Sequence, residues 1–316
     1  MVDFLDSIYT RTLVYNRFLR NIRIDSIVRF LIRNLSNMIL PVYFKLSARN
    51  EKYCLMQSEN PEYRIIVSLT SFPARINKVW LVIETLLRQT YKPDTIILWL
   101  SKDQFSSVGK LPKRLLALRS RGLKIELRDG DLRSHKKYYY AINEYPASTL
   151  VTVDDDIFYN SHLIESLVKY NTRFPNVICC NCSRQIIMEN NILKPYKLWK
   201  KNDYVNSVIP TPKRNLLPIG VGGVLYPPNS VASAIQRPEY FMSLCKTADD
   251  IWLKAVELLN GVPTVQTDYY SLYLPVIIKN NMSLSTFNVD SDNDIQIANV
   301  RDFCIERFNI DPFALL

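Results

Sequence analysis

From residue 64 onward the chain alternates short apolar runs of strand composition with segments of helical periodicity, and this rhythm restricts the fold more than any other feature. "RIIVSLT" reads as a strand, "KVWLVIETLLRQ" as a helix and "TIILWLS" as a second strand. "PKRLLALRSRG" follows as a helix stopped by Gly122, then "LKIELRD" as a strand, "HKKYYYAINEY" as a helix and "TLVTV" as a fourth strand. Strand and helix in strict alternation predict βαβ units and an α/β fold, a mainly parallel sheet flanked by helices. Such sheets bind ligands beyond the carboxyl ends of their strands.

Polar residues collect at those ends. Thr70, Ser71 and Arg75 follow the first strand, Ser101 and Asp103 the second, Asp129 and Asp131 the third, and Asp154, Asp155 and Asp156 the fourth. Three adjacent carboxylates repel one another unless they are solvated or neutralised by a cation. If the strand pleat continues through them, Asp154 and Asp156 face one side and Asp155 the other, freer to meet a ribose or sugar. Two convergent carboxylates without a histidine make a hard oxygen site suited to Mg²⁺ or Mn²⁺, completed by waters and a diphosphate.

After residue 160 the rhythm changes. "SHLIESLVKYNTRF" reads as a helix, residues 176–182 as a strand, and "KPYKLWKKNDYVNSVIPTPKRN" as a basic, aromatic insert. Then come "LPIGVGGVLYPP", a helix "SVASAIQ", a helix "ADDIWLKAVELLNG" and a strand "PTVQT", with a polar tail from about residue 280 expected to order only with ligand. Gly is scarce, seven in all, yet Gly220, Gly222 and Gly223 fall together, which predicts positive φ or close approach to a ligand there. Asp249 and Asp250 open a helix, where the dipole favours negative charge.

Composition removes several classes. Two histidines, His135 and His162, leave little material for a His-built zinc site or a Ser/His triad. No Gly-rich phosphate loop follows the first strand, whose turn reads "TSFPAR", and no Walker lysine motif occurs. The six cysteines show no paired framework and read as reduced thiols of a cytoplasmic protein. Asp3 and Asp6 stand where a secretory leader would be positive, so no signal peptide is expected.

The net charge of +10 is uneven: residues 1–50 hold eight basic residues against three acidic ones. "SIVRFLIRNLSNMILPVYFKL" is too polar to cross a bilayer. Its apolar residues Ile27, Phe30, Leu31, Leu35 and Met38 nevertheless keep helical spacing, which suits a helix lying on an anionic membrane, on a partner, or on the body of the protein.

"VTVDDDIFYNSHLI" resembles the DXD-type region of GT-A-fold, family-2-like bacterial glycosyltransferases, and "RIIVSLTSFPARI" with "VIETLLRQTYKPDTIILWLS" resembles their opening strand, helix and second strand. The resemblance covers about residues 64–275. It implies a Rossmann-like nucleotide-diphospho-sugar transferase with a nucleotide-sugar-binding half (61–160) and an acceptor-binding half with the catalytic base (161–316); the basic amphipathic N-terminal segment (1–60) precedes them outside the resemblance.

By the same resemblance, Thr70, Ser71, Asp103 and Asp129 contact the base and ribose of a nucleotide-sugar donor, foremost a UDP-sugar. Arg75, Asp131 and Asp155 join the donor site, Lys136 and Lys137 supply basic residues near the donor, and Asp154 and Asp156 hold Mn²⁺ or Mg²⁺ on the diphosphate. Gly222 and Gly223, with Trp199 and Trp252, are placed at the acceptor or sugar pocket. Asp250, with Asp249 as alternate, is the general base of an inverting transfer; many relatives read Glu-Asp where this chain reads Asp-Asp. The acceptor implied is a lipid-linked or surface glycan on the cytoplasmic face of a membrane, reached through the insert, whose lysines suit phosphate and whose aromatics suit sugar rings. Nucleic acid is set aside as partner. A Mg²⁺-dependent nucleotidyl or phosphoryl transferase and a non-catalytic sugar-nucleotide-binding protein are the alternatives.

Overall fold

The computed structural model of the chain describes residues 1–11, 24–48, 53–55, 64–201, 210–278 and 292–316. Two helices, α1 (Val2–Arg11) and α2 (Ile24–Ser47), precede the first strand. β1 (Ile65–Thr70) is buried nearly throughout, as a central strand covered on both faces must be. α3 (Val79–Leu86) is buried on every side, including Glu84, whose carboxylate is paired with Arg88 and with Arg121 Nη1 at 2.7 Å. β2 (Thr95–Ser101), the short α4 (Lys113–Leu116), β3 (Leu123–Arg128), α5 (Lys136–Glu144) and β4 (Thr149–Thr152) complete the first run. Gly122, at φ +107°, supplies the left-handed turn that stops the helical segment before β3.

The second run contains α6 (Leu163–Arg173), β5 (Ile178–Cys180), β6 (Ser183–Gln185), β7 (Met188–Glu189), β8 (Ile192–Leu193) and β9 (Lys200–Lys201). β10 (Leu216–Pro218), β11 (Val224–Tyr226), α7 (Pro238–Leu244), α8 (Asp249–Leu259), β12 (Thr264–Gln266) and α9 (Asn293–Phe308) follow. Among the described residues one sheet has seven strands in the order β12-β5-β11-β4-β1-β2-β3. Its pairs are parallel except where β11 runs antiparallel between β4 and β5. The α/β fold expected from the alternation is therefore the fold found, and strands from both parts of the chain join in one sheet. Two apolar clusters cover its faces, one beneath α3 and α6, the other beneath α5 and α8.

Two local expectations are corrected. "SVASAIQ" is a series of turns, not a helix, and the helix begins only at Pro238. The triplet lies beyond the end of β4 at Thr152, so pleat alternation does not govern it. Past the undescribed residues 279–291 the chain forms α9, which buries Ile297, Val300 and Cys304. Gln296 binds Thr247 in both directions, donating to Oγ1 at 2.9 Å and accepting from N–H at 3.0 Å, directly before the Asp249/Asp250 pair. None of the described cysteines is paired; Cys179, Cys180, Cys245 and Cys304 are buried.

Candidate functional site

A cavity of about 700 Å³ opens at the carboxyl ends of β1 and β4. Thr70, Ser71, Arg75, Asp131, Lys136, Lys137, all three triplet aspartates, Asp249 and Asp250 line it. The two acidic motifs, separated by almost a hundred residues of sequence, thus face one space.

Lys137 joins them. Its Nζ lies 3.0 Å from Asp154 Oδ1 and 2.9 Å from Asp249 Oδ2. Ser68 of β1 places this lysine: its hydroxyl donates to the Lys137 carbonyl and accepts from Trp99 Nε1 at 2.8 Å. Burial works against the charge on Lys137, but Asp154, Asp249 and Asp250 hold its pKa well above the ordinary lysine value. Burial likewise opposes ionisation of Asp249, and Lys137 overrides it, so that carboxyl sits below its ordinary value.

Asp250 goes the other way. Burial and the neighbouring Asp249 charge push its carboxyl up to about 8, while Gly220 N–H donates to its Oδ2 at 3.2 Å. A split of this kind between adjacent acids separates a fixed charge from a group able to exchange a proton near neutrality. Gly220 makes the junction sterically possible: a Cβ there would stand 2.9 Å from Lys137 Nζ, 3.3 Å from Asp154 Oδ1 and 3.4 Å from Asp250 Oδ1. Gly222 is pressed against the Cys182 backbone nitrogen, where a Cβ would approach to 2.8 Å, and Gly223 has φ +79°. The positive φ expected of this loop is present at Gly223; the close approaches at Gly220 and Gly222 are to protein atoms.

Within the triplet, Asp155 is the most tightly held. Ser71 Oγ donates to its Oδ2 at 2.6 Å and Arg75 Nη1 to its Oδ1 at 2.6 Å, so it is not free to meet a ribose or sugar. Arg75 also reaches Asp156 Oδ2 at 3.0 Å. Asp154 is fixed by Lys137 and by its own N–H donating to Tyr159 Oη at 2.9 Å. Burial, with the charges of Asp154 and Asp155 added, raises Asp156 to about 6.

Among the described residues no cluster of three or more His, Cys, Asp or Glu side chains forms a ready-made metal cage. The donor set still fits a hard divalent cation that shares its shell with a substrate. Asp154, Asp155, Asp156, Asp249 and Asp250 face Arg75 and Lys137 as their contacting cations; burial is the main cause of the raised values of Asp156 and Asp250, and the neighbouring carboxylates add to it. Mg²⁺ in particular is held by one or two carboxylates plus phosphate oxygens and water.

Other expected residues lie elsewhere. Asp103 is exposed, and Asp129 is exposed on an ion pair with Lys102 at 3.0 Å; neither lines the cavity. Lys136 is buried against Asp131 rather than reaching into the space as a free cation. Trp199 and Trp252 belong to the core: Trp199 packs on Tyr196 and Phe313 and donates to Lys194 O at 2.7 Å, while Trp252 packs on Phe241 and donates to Gln236 Oε1 at 2.8 Å. In the basic insert the aromatics Tyr196 and Trp199 are buried and Lys197 and Lys200 exposed; Tyr204 lies outside the described residues.

Tyr196 of the insert lines the cavity, and several further lining residues carried no expectation: Gln104, Arg133, Arg184 and Asn293. Gln104 donates to Asp131 Oδ2 at 2.7 Å, and Arg184 stands 5.0 Å over the Tyr196 ring. Gln104 follows β2 and falls under the same strand-end rule that selected Asp103. His135 is fully buried behind the site, stacked on Phe241 at 4.4 Å. Its Nε2 faces the Cys245 carbonyl at 2.8 Å, so Nε2 carries the proton and Nδ1 accepts from Tyr138 Oη at 2.8 Å. Burial lowers it to about 4 and keeps it neutral.

No protein-family model matches the chain, and no curated protein does. Solved structures do. The chain is similar to residues 1–349 of S. aureus TarS in complex with UDP, at 13% identity over 79% of this chain and 73% of that one, TM-score 0.41. It is also similar to the 4-diphosphocytidyl-2C-methyl-D-erythritol synthase of Anaerococcus prevotii DSM 20548, at 16% identity over 72% and 97%, TM-score 0.42. A third is the mannosyltransferase PcManGT from Pyrobaculum calidifontis in complex with GDP-Man and Mn²⁺, at 12% identity over 48% and 45%, TM-score 0.32.

Proposed function

We propose that the protein is a divalent-metal-dependent glycosyltransferase of inverting type, moving a sugar from a nucleotide-sugar donor to a hydroxyl of a lipid-linked or surface glycan. The observation that carries this reading is the Lys137 bridge, which brings the triplet and the Asp249/Asp250 pair to one cavity. A donor diphosphate lies at the triplet in this reading, and the anomeric carbon lies toward Asp250. Asp154 and Asp156 are the residues that would hold Mg²⁺ or Mn²⁺, which when bound neutralises charge on the departing nucleoside diphosphate.

The chain's own residues do the rest. Asp250 accepts the proton of the attacking hydroxyl, and its raised value suits proton transfer near neutral pH, a contribution of about 10²- to 10⁴-fold. Asp249 stays ionised and keeps Lys137 in place. Arg75 holds Asp155 and Asp156 together, and Tyr196 with Arg184 offers an aromatic and a cationic surface to the incoming glycan. Placement at the cytoplasmic face of a membrane belongs to the same reading and is supported by the excess of basic residues in the N-terminal segment.

The test is a panel of nucleotide sugars, with thermal stabilisation measured with and without Mn²⁺ or Mg²⁺, because a ligand that binds the native state raises its apparent stability. Stabilisation by one donor only when metal is present, lost in Asp156→Ala, supports the reading. Release of nucleoside diphosphate is expected; release of pyrophosphate would make the protein a nucleotidyl transferase instead. Full turnover in chelator would remove the metal.

A further inference from the structure

Among the described residues six other than glycine have positive φ. Four are asparagines, a type that enters the left-handed region readily, and the other two are Arg133 at +50° and Tyr273 at +58°. Both of these line the cavity. A bulky side chain in that region is strained, and such strain persists where the surroundings fix it, clustering at functional sites.

The surroundings of Tyr273 do fix it. Its N–H donates to Ser271 Oγ at 2.9 Å, and that hydroxyl donates in turn to Asp6 Oδ1 of α1 at 2.8 Å. Thr10 Oγ1, on the same helix, accepts from Leu272 N–H at 3.2 Å. α1 also grips the loop that follows the triplet: Asp3 Oδ1 accepts from Ser161 N–H at 2.7 Å and Asp6 Oδ2 from Asn160 Nδ2 at 3.2 Å. Past the tyrosine, Phe158 N–H donates to Leu274 O at 2.9 Å and Val276 N–H to Asp156 O at 2.8 Å. The segment that carries Tyr273 is therefore clamped by α1 on one side and laced to the triplet on the other.

The tip of the side chain locates the ring. Tyr273 Oη donates to Asn181 O at 3.2 Å, and a Cβ on Gly222 would stand 2.7 Å from that oxygen, so glycine at 222 makes room for the tyrosine. Two residues back, a Cβ on Gly220 would meet both Asp154 Oδ1 and Asp250 Oδ1, the acids that the transfer reading gives to the diphosphate and to the attacking hydroxyl. A sugar in transfer lies between those two acids, one short glycine turn from Tyr273. Because Oη is committed to Asn181, the half-buried side chain offers the cavity its apolar ring. Aromatic walls with a few polar groups are how small-molecule pockets hold their ligands, and the C–H face of a sugar suits such a wall.

We propose that Tyr273 is a binding residue for the transferred sugar: its ring is the wall on which the sugar of the donor rests, and its strained backbone, clamped through Ser271 to α1, sets that wall in place. The assignment rests on the transfer reading.

The test compares two ligands by calorimetry in the presence of Mg²⁺ or Mn²⁺: the nucleotide sugar that stabilises the parent, and the nucleoside diphosphate of the same base. The diphosphate occupies the donor site without the sugar, so the difference between the two affinities isolates contacts to the sugar. Tyr273→Asn and Tyr273→Leu both remove the ring, the first in a residue type suited to the backbone, the second in an apolar one. Each is expected to bind the nucleotide sugar at least about tenfold more weakly while binding the diphosphate like the parent. Tyr273→Phe, which keeps the ring, should retain most of the sugar affinity. Equal weakening of both ligands is what a merely structural role gives, and it overturns the proposal. So does a loss in Tyr273→Phe as large as in the ringless variants, or an effect confined to the acceptor KM. A parent that binds no nucleotide sugar sinks the transfer reading and this assignment with it; a parent that binds one and loses nothing in the ringless variants sinks this assignment alone.

Discussion

Lys137 Nζ lies 2.9 Å from Asp249 Oδ2 and 3.0 Å from Asp154 Oδ1, a single buried cation shared by two acidic motifs. Replacing it with Met leaves the buried Asp249 and the partly exposed Asp154 without their partner. Breaking a buried pair in this way costs about 3–5 kcal/mol. Lys137→Met is therefore expected to unfold at markedly lower denaturant concentration than the parent at pH 8. The loss should shrink toward pH 5, where the abandoned carboxylates take up protons. A denaturation series across that range checks it, and an unchanged midpoint at pH 8 would show that the bridge contributes nothing.

Asp250 gives the folded protein a distinct pH signature. In the unfolded chain it ionises near the ordinary carboxylate value of about 4, whereas in the fold it holds its proton up to about 8. Across that window the native state binds more protons than the unfolded state, so this group makes stability fall as pH rises, levelling above 8. Asp156, raised to about 6, acts in the same sense over a narrower window. His135, lowered to about 4, acts oppositely: its contribution is present above its unfolded value and lost as pH falls toward 4. Asp250→Asn removes only the first effect. Relative to the parent it should gain stability steadily from pH 5 to 8, read as melting temperature, while losing transfer and keeping metal-dependent nucleotide binding. A flat difference would mean that Asp250 ionises normally.

Gly220 tests the junction sterically. Its backbone does not need positive φ, so alanine is conformationally acceptable, yet the added Cβ would sit 2.9 Å from Lys137 Nζ. Gly220→Ala is expected to fold with a small stability loss, about 1 kcal/mol, and to displace the lysine. Transfer should fall at least tenfold, since a misplacement of about 1 Å in a reacting group can cost about 100-fold. Gly223→Ala, at φ +79°, should show the reverse balance, with the larger loss in stability.

How much of this was legible in the sequence follows from what each signal depends on. The βαβ run was readable because β1, β2 and β4 are buried parallel strands and β3 pairs parallel at the edge, so that their apolar runs and helical spacers are set by local pattern. The glycine cluster was readable because a positive φ, found at Gly223, is a conformation that other residues rarely adopt. The roles within the triplet were not: the pleat argument fails because β4 ends at Thr152, and the assignment of Asp155 depends on Arg75 arriving from the first crossover. "SVASAIQ" misled because its helix-compatible residues are held in turns, with Asn260 Nδ2 donating to the carbonyls of Ser230 and Ala232 at 3.0 Å. α9 carried its signal in Ile297, Val300 and Cys304, three and four residues apart, beneath a polar surface.

The tryptophans separate residue type from position. An aromatic near a sugar-nucleotide site invites a stacking role, but Trp252 is fully buried on α8 against Phe241, and Trp199 is sealed between Tyr196 and Phe313. Trp199→Ala should cost about 3–5 kcal/mol, the price of removing a large core side chain. Trp252→Phe should cost less, through a lost indole hydrogen bond to Gln236 and a partial void. Neither is expected to change the KM for donor in the fraction that folds. Tyr196 supplies the contrast, because it lines the cavity beneath Arg184. Tyr196→Ala should raise the acceptor KM about tenfold or more while leaving the donor KM in place, a loss of stacking of about 1–2 kcal/mol. Measured KM values for both substrates decide between the two sets: a donor effect from either tryptophan would return it to the site, and an unaltered acceptor KM in the tyrosine variant would remove that wall from the acceptor path.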